Sequence, residues 1–202
     1  MAADTLWNHN IHYHPLIIAA LPSDCYQVLD VGCGEGLLAR ELSDVARKVT
    51  AIDRDAPTIA MAKTQTSAVN VDYVLDDFLI HPFEPQSFDA VVSVAALHHM
   101  GTSAALSQMK KLLRPGGTLA VVGLAQSRHG ADLMFDLAGI AADRLHKVTK
   151  TYRETSAPKM WPPPETYRQT RQAAETVLPG ARYRRRLLWR YSITWTKPTE
   201  RP

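Results

Sequence analysis

Short apolar runs alternate with helix-spaced patterns over the first 125 residues. Gln27-Val-Leu-Asp-Val31 is a compact apolar run bounded by turn residues, the pattern of a buried strand. Leu37-Leu-Ala-Arg-Glu-Leu42 follows at helical spacing. Residues 48–52 then predict a strand, and residues 57–65 a helix with Pro57 in its first turn. Residues 71–75 and 88–94 predict two further strands. A helix is expected over 103–113, capped by Thr102 or Ser103 and stopped by Pro115-Gly-Gly117. Residues 118–122 complete the series as a strand. This alternation predicts an α/β fold with a mostly parallel sheet and helices on both faces.

The two ends of the chain differ from that series. Residues 16–21 suggest a short helix before Pro22. Residues 131–150 and 165–177 are expected to be helical. Between them the run from Ala157 to Pro164 is too rich in proline for a helix. Residues 183–195 are aromatic and β-branched and predict two strands. Their short connection makes them antiparallel, because a parallel pair needs a long crossover.

A chain of 202 residues suits one domain, taken as 1–202. Hydrophobic residues at 46% and charged residues at 21% match globular usage, which sets aside disordered and coiled-coil readings. The early apolar run at 16–21 is too short to span a bilayer, and the first ten residues lack the pattern of a signal peptide. Cys25 and Cys33 are the only cysteines, which excludes a disulfide scaffold and points to a reducing, cytoplasmic setting. The net charge of +3 hides an asymmetry. Residues 1–140 hold nine Lys and Arg against fifteen Asp and Glu, whereas residues 141–202 hold fourteen against five. A basic C-terminal third either meets an anionic partner or forms a solvated face.

Candidate chemistry begins at Asp30-Val-Gly-Cys-Gly-Glu-Gly36, where the first long strand hands over to a helix. Glycines there permit positive φ and let a ligand approach the backbone. Gly32 and Gly34 match the dinucleotide fingerprint, but its third glycine position is Leu37, and the third glycine is Gly36. No Lys-Ser/Thr follows, so the loop is not a phosphate-binding P-loop. Asp53 ends the next strand, where a carboxylate accepts hydrogen bonds from two ribose hydroxyls. The bland alternative is a helix cap, a job for which Asp55 competes.

Five segments in order resemble the class I S-adenosylmethionine-dependent methyltransferases, in their small type-11-like branch. They are Val28-Leu-Asp-Val-Gly-Cys-Gly-Glu-Gly36, Ala51-Ile-Asp53, Asp76-Asp-Phe78 with Pro82-Phe83, the run Ser87 to His99, and Leu112-Leu-Arg-Pro-Gly-Gly-Thr118. The resemblance implies a Rossmann-like seven-stranded sheet with an antiparallel last strand. It implies S-adenosylmethionine as cofactor, with S-adenosylhomocysteine as product and no metal. It places Gly32, Cys33, Gly34, Gly36, Arg54, Ser93 and Val94 in the cofactor cradle, with Cys33 as a small packed residue. Asp53 would hold the ribose, Asp77 the adenine amino group, Phe78 the ring, and Asp30 the amino end.

Methyl transfer from a sulfonium needs an acceptor lone pair held in line, and orientation alone supplies about 7–11 kcal/mol of such a barrier. A hydroxyl acceptor gains a further factor of about 10²–10⁴ from a base. His98 and His99 follow the fourth strand of the series and are the base candidates, with strand alternation pointing one of them into the pocket. Capping or structural histidines are the alternative. His12, Tyr13 and His14, in an arm over residues 1–24, are candidates for acceptor binding. Met160 and Trp161 are expected as apolar walls, in a helical insertion over 125–178 that forms part of the acceptor pocket. His9, His12 and His14 lack the further ligands of a metal site.

The acceptor is therefore expected to be a small-molecule metabolite with an oxygen, sulfur or nitrogen nucleophile. Arg182-Tyr-Arg-Arg-Arg186 and Arg190 offer an alternative, an RNA or protein methyltransferase. Against nucleic acid, Ser93-Val-Ala-Ala96 stands where an Asn/Asp-Pro-Pro-Tyr motif would be, and no appended RNA-binding domain fits. A non-catalytic cofactor-binding protein is a further alternative, since fold does not guarantee activity. No sequence feature identifies the acceptor or sets the oligomeric state.

Overall fold

The structure, a computed structural model, describes residues 6–128, 130–154 and 160–199. The start of the arm, residues 1–5, and residues 155–159 of the proline-containing insertion lie outside the described residues. The strands are β1 (Leu6–Trp7), β2 (Gln27–Val31), β3 (Lys48–Asp53), β4 (Val71–Leu75), β5 (Phe88–Val94), β6 (Leu113–Leu124), β7 (Thr151–Tyr152), β8 (Arg182–Arg186) and β9 (Arg190–Thr196). The helices are α1 (His14–Ile18), α2 (Leu37–Leu42), α3 (Ala56–Gln65), α4 (Thr102–Leu112), α5 (Gly130–Thr149) and α6 (Tyr167–Val177).

Seven strands form one sheet in the order β4-β3-β2-β5-β6-β9-β8. Strands β2 to β6 pair in parallel, and β9 runs antiparallel to both β6 and β8. This is the architecture the alternation predicts. The central strand β2 is buried along almost its whole length, which explains its near-continuous apolar run. One core cluster holds Leu29, Val31, Val91, Leu106 and Ile193, and a second holds Val28, Val49, Ala90, Val92 and Ile17. Alternate residues of β2 and β5 thus feed opposite faces of the sheet. Each fully buried Leu, Ile or Val contributes about 1.5–3 kcal/mol.

Two boundaries differ from the sequence expectation. Strand β6 begins at Leu113 and runs through Pro115-Gly-Gly117, so the glycines lie inside a strand that leaves α4 directly. Its register against β5 shifts between Phe88 and Ala90, and the Arg114 guanidinium bonds Asp89 at 2.6 Å there. Helix α4 starts after Gly101, and neither Thr102 nor Ser103 caps it. The Thr102 amide donates to the Glu165 carboxylate at 3.1 Å, and the Thr102 hydroxyl bonds the same oxygen.

The N-terminal segment is tied to the far end of the chain. Strands β1 and β7 pair in parallel. Trp7 is buried and stacks on His146 of α5, with ring centroids 4.7 Å apart. The Tyr13 hydroxyl donates to the Leu187 carbonyl at 2.8 Å, in the connection between β8 and β9. Among the described residues no helix is long and apolar enough to cross a membrane.

Candidate active site

A cavity of about 370 Å³ opens at the carboxyl ends of β2, β3, β4 and β5. Open α/β sheets bind ligands at such strand ends. The loop after β2 supplies Gly32, Cys33 and Gly34 to its lining. The Gly32 and Cys33 amides donate to the Ile52 carbonyl at 2.8 and 3.1 Å, which pins the loop to β3. Gly32 has φ +73°, and a Cβ there would sit 2.2 Å from the Ala96 Cβ. Only glycine fits that approach. Gly36 lies outside the lining; it begins α2 with φ +71° and packs its α-carbon against the Tyr73 hydroxyl.

Six acidic residues line the cavity, Asp30, Glu35, Asp53, Asp55, Asp76 and Asp77, and three of them, Asp30, Asp53 and Asp77, stand at or just beyond three different strand ends. Asp53 accepts the Gly34 amide at 2.8 Å and the Asp55 amide at 3.0 Å. It therefore both shapes the loop and keeps free lone pairs. Asp55 is the cap of α3, accepting the Thr58 amide at 3.1 Å, so Asp53 does not serve as that cap. Asp77 accepts the Leu79 amide at 2.9 Å, and Phe78 is buried beside it on the cavity wall. Asp30 is the deepest of the three. It is buried, and its Oδ2 has no hydrogen-bond partner. Burial, with Asp53 and Glu41 nearby, pushes its pKa up to about 8. A buried carboxyl oxygen without a partner is costly, and a cationic or hydrogen-bonding ligand group would satisfy it.

Cys33 lines the cavity, and burial drives its thiol pKa far up. It is not a reactive thiolate. Arg54 and Val94 also line the cavity. Ser93 does not; it is buried, and its hydroxyl donates to the Val31 carbonyl at 2.7 Å, a link between β5 and β2. Ala95 follows β5 with φ +57°, a left-handed conformation for a residue with a side chain.

The two adjacent histidines part company. Residues Leu97–His99 form a 3-10 turn, so strand alternation does not apply to them. His99 lines the cavity. Burial and the Arg54 charge lower its pKa. His98 points elsewhere: it is 7% exposed, lies outside the lining, and its Nδ1 has no partner. Burial depresses its pKa to about 4.

Of the arm residues, His14 lines the cavity and its Nδ1 bonds Glu41 at 3.0 Å. His12 and Tyr13 lie outside the lining and pack edge to face with each other. Met160 and Trp161 also lie outside it, and Trp161 is 66% exposed. Sequence reasoning missed Asn8, Asn10, Ile11, Glu35, Met100 and Arg153, all on the lining. Asn8 accepts the Asn10 and Ile11 amides at 2.8 Å each and donates to the Arg153 carbonyl at 3.2 Å. Arg153 in turn pairs with Glu35 of the glycine loop at 3.3 Å. These partners are distant in sequence, and no local pattern marks them.

The sheet order defines a Rossmann-like fold, with an acid-lined cavity at its strand ends. A SAM-dependent methyltransferase of Methanosarcina mazei shares the fold, with TM-score 0.64, 21% identity, and coverage of 92% of this chain and 98% of that one. The [4+2]-cyclase SpnF also shares it, with TM-score 0.65, 17% identity, and coverage of 93% and 81%. A fold likeness at that identity does not choose a reaction. Sequence relatives do better. The family profile described as "Methyltransferase domain" matches residues 29–121. The uncharacterized methyltransferase Rv0089 of Mycobacterium tuberculosis is 41% identical over 196 residues, covering 96% of this chain and 99% of its own length. The ubiquinone biosynthesis O-methyltransferase of Xanthomonas campestris pv. campestris is 34% identical over 138 residues, covering 65% of this chain and 57% of its own length. This chain belongs to the methyltransferase family.

Proposed function

We propose that the protein transfers the methyl group of S-adenosylmethionine to an oxygen, sulfur or nitrogen nucleophile of a small-molecule metabolite. The observation that carries this reading is the set of three carboxylates, Asp30, Asp53 and Asp77, around a glycine loop on one cavity. The residues fit the cofactor. Asp53 would accept the ribose hydroxyls, Asp77 the adenine amino group, and Phe78 would lie beside the ring. The unpartnered Oδ2 of Asp30 suits the amino end, with backbone from Gly32 to Gly34 alongside. When bound, the cofactor supplies an electrophilic methyl group on a sulfonium.

The chain's own residues would orient the acceptor and exclude water. The arm residues Asn8, Asn10, Ile11 and His14 close one side, held by the Asn8 and Arg153 hydrogen bonds. Of the insertion over 125–178, Arg153 is the described residue on the lining. His99, kept neutral by its lowered pKa, would take the proton of a hydroxyl acceptor. The relative named an O-methyltransferase favours an oxygen nucleophile. A single domain over 1–202, with its arm folded on the cavity, is part of this reading.

The test is S-adenosylhomocysteine release on a panel of phenols, carboxylates, thiols and amines. Turnover on one class is expected, and silence in protein that binds the cofactor counts against the reading. Asp53→Ala is expected to weaken S-adenosylhomocysteine by about 100-fold or more, as for a charged hydrogen-bonding group. Unchanged affinity by calorimetry would remove the ribose assignment.

A further inference from the structure

Arg190 opens β9, and among the described residues it is the only buried lysine or arginine, at 5% exposure. Its Nη1 donates to the Leu188 carbonyl at 3.1 Å and its Nη2 to the Asn10 Oδ1 at 2.8 Å. Its Nε is buried and has no partner. Among the described residues no carboxylate pairs with it. The groups that act on it electrostatically are the phenols of Tyr13, Tyr152 and Tyr167, none of them a carboxylate. Burial lowers its pKa only to about 10, so the guanidinium stays charged. The fold thus holds a buried positive charge with no anion to balance it, an arrangement that is costly.

The unbalanced part of that charge is one edge of the guanidinium. Nε and Nη2 lie on the same edge, the one a carboxylate grips with two parallel hydrogen bonds. Here that edge has a single neutral acceptor, the Asn10 amide. Asn10 itself lines the cavity. Its backbone amide is held by Asn8 at 2.8 Å, so its side chain can turn without moving the chain. On the neighbouring wall, His99 lines the cavity, and His98 lies behind it with ring centroids 4.1 Å apart. His98 is also buried, with an unpartnered Nδ1, and stands in electrostatic reach of Arg190. Arg190 and His98 are thus both off the lining, each one residue behind it, Arg190 behind Asn10 and His98 behind His99.

We propose that Arg190 binds a carboxylate of the methyl acceptor, gripped side-on by Nε and Nη2 when the Asn10 side chain turns aside. The acceptor is then a carboxylic acid rather than a neutral metabolite. Low local dielectric makes such a pair strong and excludes the neutral amide analogue, which leaves the charge unbalanced. This inference rests on the methyltransferase reading of the cavity.

The experiment is calorimetry on protein saturated with S-adenosylhomocysteine, titrated with benzoate and hexanoate and, in parallel, with benzamide and hexanamide. Wild type is expected to bind at least one acid at least tenfold more tightly than its amide. Arg190→Met is expected to lose that preference while its S-adenosylhomocysteine affinity stays within twofold. Asn10→Asp places an internal carboxylate against the same edge. It is expected to raise Tm and to weaken the added acids at least tenfold, which keeps the test open if Arg190→Met does not fold. Acids that bind no better than amides overturn the inference. So does acid affinity unchanged in either variant. Failure of wild type to bind S-adenosylhomocysteine at all sinks the proposed function, and the carboxylate assignment with it. Intact cofactor binding without acid preference sinks the carboxylate assignment alone.

Discussion

The cavity has two walls built in different ways. The wall at the strand ends is local. Asp53 bonds Gly34 and Asp55, partners 19 and 2 residues away. Its shape follows from glycine φ values, strand ends and short turns. The opposite wall is assembled from remote parts. Asn8 bonds Arg153 across 145 residues, Arg153 bonds Glu35 across 118, and Arg190 bonds Asn10 across 180. Backbone geometry dictates the first wall, and side chains meeting across the fold dictate the second. Such a division suits one constant ligand on the first wall and a particular acceptor on the second.

The largest expected break is on the local wall. Gly32→Val forces a branched side chain into the Ala96 Cβ at a φ of +73°. We expect a loss of about 2–4 kcal/mol of stability, from strain plus overpacking, and no measurable cofactor binding. Thermal unfolding and calorimetry on the same preparation check both.

A sharper comparison sets the two histidines against each other. His99→Ala is expected to slow turnover on a hydroxyl acceptor by about 10²-fold or more, with cofactor affinity kept. His98→Ala, away from the lining, should retain far more of kcat than His99→Ala. Equal losses would remove the distinction drawn from their placement.

Asp30 gives a pH-dependent effect with a defined sign. Its folded pKa of about 8 lies above the ordinary value of about 3.9. Between those values the unfolded chain releases a proton that the folded chain keeps. Its contribution to stability therefore falls as pH rises from about 4 to about 8, and is level above that. Asp30→Asn is expected to flatten this slope. The difference in Tm between wild type and variant, followed from pH 5 to 9, should widen with pH in favour of the variant.

The smallest effect is expected at Trp161. It is exposed and off the cavity, so Trp161→Ala should change stability by less than about 0.5 kcal/mol and leave KM unaltered. A raised KM would bring the proline-containing segment back to the acceptor.

Much of the fold was legible because each parallel strand announces itself. Runs such as Gln27–Val31 and Phe88–Val94 are buried on both faces, so burial writes itself into consecutive residues. The boundary at β6 was not legible. Pro115-Gly-Gly117 reads locally as a stop, but pairing with β5 and β9 carries the strand through it. The placement of Asp30, Asp53 and Asp77 on the cavity lining was legible because each sits close to a strand end. Ser93 sits at a comparable offset, yet its hydroxyl turns inward to the Val31 carbonyl, a choice that spacing does not reveal. His98 and His99 were ambiguous for the same reason: a 3-10 turn, not a strand, decides which ring meets the cavity.

By itself, then, the chain's pattern determined the α/β alternation, the glycine loop and the acidic strand ends, because these depend on interactions over a few residues. Only the tertiary structure decided the far wall. In the sequence Asn10 is a polar residue in an arm, and Arg190 reads with Arg182–Arg186 as part of a basic, solvated stretch. Folding brings them within 2.8 Å and buries the arginine while leaving Asn10 on the cavity lining. Burial without a balancing anion is what turns that arginine from a surface charge into a candidate for binding one.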